Sequence, residues 1–162
     1  MNAPQWRLQI LAGVKVLLRE HGFRGSHTRF WKIIGTRRLL VQLHGGSDQH
    51  DTQKLLMQVF LGIDFLELEE PDRTRAAYFG LWNGQLTWTN SVGTRESAWR
   101  AYSEAEALAV QEGIIKALPP ALARIEERFQ TWHDVLPYMD RGVGQTLDPP
   151  GQVKEWKLPK VL

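Results

Sequence analysis

Trp6, Ile10, Val14, Leu17 and Leu18 recur at steps of three and four, with Arg7, Lys15 and Arg19 between them. That is the period of a helix with one buried stripe. Pro4 suits a first helical turn and Gly22 suits the left-handed residue that closes a helix, so a helix is predicted over about residues 5–21. The period then falls to two. Segments 28–34 and 38–44 are rich in β-branched, aromatic and long aliphatic residues and are separated by Gly35-Thr36, which predicts a hairpin. A two-residue loop with Gly first suits a type II′ turn and sets opposite one another residues whose numbers add to 71. Residues 45–51 have no apolar period and are dense in turn formers, which predicts a loop. From 55 to 63 apolar residues occupy both alternating sets, the pattern of a central strand.

An acidic stretch at 67–72 interrupts this pattern, and segments 77–82 and 85–89 then flank Asn83-Gly84, a strong two-residue hairpin signal. The last third returns to helical period. Ser103 and Glu106 have capping-box spacing, and Leu108, Ile115 and Leu118 follow on one side. Pro119-Pro120 predicts the end of that helix, and Leu122, Ile125, Phe129 and Trp132 predict another that stops before Pro137. The expected fold is therefore α+β: an antiparallel sheet of four or five strands, with helices near 5–21, 104–118 and 121–136 packed mainly on one face. Residues 1–140 read as a single domain and 141–162 as a Pro/Gly-rich tail. Val153, Trp156 and Leu158 are too apolar for a freely solvated tail, so Trp156 and Leu158 are expected to anchor it to the domain or to a second subunit of a homo-oligomer.

Composition narrows the function. With 162 residues, 43% hydrophobic and 23% charged, one core suffices. The formal charge of +2 is too small to imply a nucleic-acid or membrane partner by itself. The absence of Cys excludes disulfides, thiol nucleophiles and Cys-type zinc sites. Arg7 and Lys15 break the N-terminal apolar pattern, so neither signal peptide nor membrane anchor is expected, and a cytoplasmic location is the default.

The helix ending in Gly22-Phe23, Phe30-x-Lys32, Val41-Gln42, Phe60-Leu61-Gly62-Ile63, Trp99 and the closing helix before Leu136-Pro137 resemble the bacterial domain-of-unknown-function family 4304, over roughly residues 8–138. The resemblance implies the fold and carries over no catalytic residues. The acidic stretch and the Pro/Gly-rich tail depart from the family's usual form.

In the hairpin register Trp31 faces Leu40, Arg29 faces Gln42 and His27 faces His44, all on one side of the sheet. Aromatic floor and polar heads together are what a ligand pocket uses; the plain alternative is a half-solvated strand face. His27 and His44, with Asp48, His50 and Asp51 nearby, offer imidazole and carboxylate ligands, but their spacing matches no metal motif, so neither metal nor cofactor is expected. Arg24, Arg29, Lys32, Arg37 and Arg38 crowd the same hairpin with Phe30 and Trp31, the composition of a single-strand nucleic-acid binder. Alternation splits them between faces and argues against a nucleic-acid partner. No serine has a nucleophile-elbow context. Of the seven Trp, Trp6 and Trp132 fall on helix stripes and Trp31, Trp82 and Trp88 on strand faces, positions that suit core. The expected function is a non-enzymatic binding or protein-interaction module for a protein or small-molecule ligand. A metal-dependent enzyme on His27 and His44, or a weak single-strand binder, is the alternative.

Overall fold

The computed structural model describes residues 2–48, 51–68, 79–138 and 151–153. A helix, α1 (Ala3–Glu20), leads into β1 (Arg24–Ser26), β2 (Arg29–Ile34), β3 (Arg37–Asp48) and β4 (Asp51–Phe65). Then come β5 (Trp82–Gln85), β6 (Trp88–Thr89), β7 (Arg95–Glu96), β8 (Trp99–Ala101), the long helix α2 (Glu104–Arg128), a 3-10 helix (Trp132–Tyr138) and β9 (Gly151–Val153). Seven strands form one antiparallel sheet in the order β1-β2-β3-β4-β5-β9, with β8 also on β4, while β6 and β7 make a separate ribbon. The mixed α+β class, the antiparallel sheet and the helices before and after it agree with the sequence. The sheet is larger than the four or five strands expected, because three of its members, β1, β8 and β9, are only three residues long and carry no measurable period.

Local chemistry sets the ends of α1. Asn2 accepts from the Gln5 amide while the Gln5 side chain accepts from the Asn2 amide, a reciprocal cap of two free donors. At the other end Phe23 N–H donates to Leu18 O, Gly22 N–H to Arg19 O, and Gly22 takes φ 84°. This is a Schellman closure, with Leu18 and Phe23 both buried beside it. Trp6, Ile10, Val14 and Leu18 of α1 and Ala107, Val110, Ile114, Leu118, Leu122 and Ile125 of α2 join one core with Phe30, Leu39, Val41, Leu43, Val59, Leu61 and Ile63 of the sheet. All the strand members lie on one face. Fully burying each large side chain contributes about 1.5–3 kcal/mol, so the two helices are held to that face and leave the other without a helix among the described residues. No described helix is long and apolar enough to cross a membrane.

Three local expectations give way to tertiary packing. Pro119-Pro120 does not end a helix: α2 runs for 25 residues with both prolines inside it. Leu118, Ala121, Leu122 and Ile125 are buried together, and a break at 119 would withdraw that stripe from the sheet, outweighing the two missing amide donors. The expected helix over 121–136 is thus the end of α2 followed by the 3-10 helix. Asn83-Gly84 is not a turn but the middle of β5, paired with Gly62 and Leu61 on one side and with Gln152 and Gly151 on the other. Residues 45–48 and 51 are not loop but ladder, with Gly45 opposite Met57 and Gly46 opposite Leu56. A Cβ at Gly45 would lie 2.3 Å from Met57 Sδ, so glycine there serves packing rather than turning. Residues 151–153 of the tail add an edge strand to the sheet; Trp156 and Leu158, and residues 69–72 of the acidic stretch, lie outside the described residues.

Candidate functional site

The helix-free face is built by register. The Gly35-Thr36 turn, with Gly35 at φ 60°, pairs Arg29 with Gln42 and Trp31 with Leu40, as the turn chemistry predicted. The ladder continues across the sheet, Gln42 to Phe60 to Gln85 and Leu40 to Gly62 to Asn83. On the other side β1 sets Arg24 beside Trp31. One row therefore reads Arg29, Gln42, Phe60, Gln85, and the next Arg24, Trp31, Leu40, Gly62, Asn83.

Gly62 shapes the centre of this surface. A Cβ there would meet the Phe79 carbonyl at 2.6 Å and its ring at 3.2 Å, so Phe79, just before β5, lies directly on the glycine. The Arg29 guanidinium stands 6.0 Å from the Phe79 ring centre, within the range of a cation–π contact. Leu40 is only 2% exposed even though it faces away from both helices, whereas Trp31 beside it is 38% exposed. The face thus has a sheltered centre and an open aromatic margin.

Its electrostatics are dominated by arginine. Arg38 Nη2 lies 3.3 Å from Asp64 Oδ2, and Asp64, nearly fully buried, also accepts from the Phe65 amide at 2.9 Å. Burial, and then the charge of Arg38, lower the pKa of Arg29 from its ordinary value. Arginine stays protonated at neutral pH even so. A half-buried cation whose charge is disfavoured by its surroundings gains when an anion approaches it.

His27 and His44 are not brought opposite one another. β1 and β2 turn through His27-Thr28, His27 takes φ 55°, and the last β2–β3 hydrogen bond runs from Leu43 N–H to Thr28 O. The hairpin expectation fails there because the chain reverses one residue before His27 could join the ladder. His44 instead pairs with Gln58 and stands edge-on to Phe60 at 6.3 Å. Among the described residues no group of three or more His, Asp or Glu could hold a metal.

The basic set is split between the two faces, as alternation predicts. Arg37 faces the helices and donates to the carbonyls of Glu126 and Phe129 at 2.7 and 3.3 Å, closing the end of α2. Arg38 joins Arg24 and Arg29 on the helix-free face, and Lys32 takes the register of the helix-covered face. Phe60, Gly62, Asp64 and Phe79 were missed. Gly62 within an apolar strand pattern was the available signal, since a glycine there marks a close approach. Nothing local tied Phe79 to it. Models of known families, curated proteins and solved structures were all compared with the chain, and none matches it.

Proposed function

We propose that the chain is a non-enzymatic binding module whose ligand, a protein segment or a small molecule, seats on the helix-free sheet face around Arg29, Trp31, Leu40 and Gln42. A cytoplasmic setting and kinship with family 4304, suggested by the order of elements, belong to the same proposal. The observation that carries it is the register. It collects a half-exposed Trp, a half-buried Arg and a Gln on one surface. Apolar area with a few placed hydrogen-bonding heads is what ligand sites use. The single-strand nucleic-acid alternative is weakened because two of its cations are engaged elsewhere, Arg37 on α2 and Arg38 on Asp64.

A fragment and peptide library screened by amide chemical shifts tests this. Shifts from genuine ligands should cluster at residues 29–33, 38–44 and 58–62. Trp31→Ala and Gln42→Ala should each weaken those ligands by about fivefold or more, with Tm changing by about 2 °C or less. Ligands that map consistently to the helix-covered side, or binding indifferent to both substitutions, overturns the reading.

A further inference from the structure

β2 is longer than the strand that guards it. β1 pairs only with Arg29, Phe30 and Trp31, so the outer edge of residues 32–34 has no strand beside it among the described residues. Hydrogen-bond alternation fixes which groups that edge presents. The Leu43 N–H to Thr28 O bond and the two-residue Gly35-Thr36 turn place the bonds to β3 at even-numbered residues of β2. Odd-numbered residues therefore point their amide and carbonyl toward β1: Arg29 meets Ser26 and Trp31 meets Arg24. Ile33 would meet Gly22, but Gly22 has turned away at φ 84° with its amide on Arg19 O. The Ile33 amide and carbonyl are left facing a notch of about 300 Å³ lined by Gly22, Arg24, Trp31, Lys32 and Ile33.

The notch has a definite chemistry. Ile33 is 58% exposed, an apolar side chain at an unguarded edge, where soluble proteins ordinarily place charges, bulges or very short strands to prevent pairing. Its two titratable lining residues are both cations, and neither Arg24 nor Lys32 has an ion-pair partner among the described residues. The Lys32 stem rests on Gly22, with Nζ 4.0 Å from where a Cβ would stand. Arg19 adds a third positive charge close by, its guanidinium donating to Gly25 O. Glu20, the nearest acid in sequence, does not line the notch.

We propose that this edge accepts an extended acidic peptide segment as an added strand. Its backbone hydrogen-bonds to the Ile33 amide and carbonyl, an apolar side chain packs on Trp31 and Ile33, and carboxylates lie against Arg24 and Lys32. Strand addition takes affinity from main-chain bonds and specificity from alternating side chains; here the face of the added strand that packs on Trp31 and Ile33 also carries the acid for Arg24, and the opposite face carries the acid for Lys32. The inference rests on the reading of the chain as a binding module and names the partner at its Trp31 corner.

The test uses the full chain and an acetylated, amidated nonapeptide with a central Val flanked by Glu on both faces of the strand, with the Gln-for-Glu peptide and a peptide carrying a central Pro as controls. Binding is followed by calorimetry and by hydrogen exchange at the Ile33 amide. The acidic peptide should bind and slow exchange at Ile33, and both controls should bind about tenfold more weakly or worse. Arg24→Glu with Lys32→Glu should weaken the acidic peptide about tenfold or more, a loss that grows as salt is lowered. Ile33→Pro removes the edge donor without touching a bond to β3 and should abolish binding; the charge variant keeps the test decisive if the proline variant unfolds. No binding up to about 1 mM (weaker than about −4 kcal/mol), or equal binding by the charge-reversed protein, overturns the proposal. Protection of Ile33 in a dimer without peptide, or capture of a single-stranded oligonucleotide in place of the peptide, also overturns it. Peptide binding that maps to Gln42 and Phe60 but leaves Ile33 unprotected sinks the edge proposal while leaving the binding-module reading intact.

Discussion

At Gly62 and Gly80 the absence of a side chain is used for close approach. Gly80, at φ 85°, would place a Cβ 2.6 Å from the Ile63 carbonyl, whereas Gly35, at φ 60°, would meet nothing within 4 Å. The two positions separate conformational cost from steric cost. Gly35→Ala should lose only the left-handed penalty, about 1–2 kcal/mol. Gly80→Ala must also move backbone and should lose about 2–4 kcal/mol; urea denaturation of the two variants checks the difference, and equal losses would mean that the Phe79–Leu81 segment does not sit on β4 as described. His44 makes the opposite prediction. It is exposed and touches Phe60 only edge-on, so His44→Ala should change stability by about 0.5 kcal/mol or less. A larger loss, or loss of a bound metal with the variant, would restore the histidine to importance. Asp64 was invisible as a key residue because one carboxylate in an apolar run has no pattern, yet it is buried against Arg38. Removing one partner of a buried pair typically costs about 3–5 kcal/mol, which is the loss expected for Asp64→Ala.

The elements that were legible are those whose signals are local. The Pro4 and Gly22 ends of α1, the Ser103 cap of α2, which accepts from the Glu106 amide at 3.2 Å, and the Gly35-Thr36 turn each depend on residues within a few positions. The Asn83-Gly84 and Pro119-Pro120 signals were equally local and were overridden, the first by ladder pairing on both sides and the second by a buried stripe that continues through it. Pro120 is exposed and lacks the amide that would donate to Lys116 O. Pro120→Ala should therefore supply a missing helical bond and stabilise the protein by about 1–3 kcal/mol, with helical circular dichroism preserved. A destabilised variant would show that α2 is shaped around a proline-induced bend.

On the scale of the whole molecule, the helices pack on one face of the sheet, and that one-sided packing followed from the two periods in the sequence. The edges did not follow from them. β1 and β9, the strands at the two ends of the main sheet order, are three residues each, too short for alternation to register, so neither the unguarded end of β2 nor the return of the tail onto β5 could be read in advance. The tail supplies the last prediction. β9 pairs Gly151 with Gly84, Gln152 with Asn83 and Val153 with Trp82, and Trp82 is a fully buried core residue in contact with Phe129, ring centres 5.2 Å apart. Truncation after Arg141 removes β9 and exposes the β5 edge next to that core. Main-chain bonds contribute about 1 kcal/mol net each and are partly offset by ordering of the short strand, so the expected loss is about 1–3 kcal/mol. For a chain of this length that is a fall in Tm of about 3–10 °C. Sedimentation should show an unchanged oligomeric state, because β9 completes the sheet of its own chain. An unchanged Tm would mean that β9 adds nothing to the sheet, and a smaller assembly after truncation would mean that the tail joins subunits rather than closing its own domain.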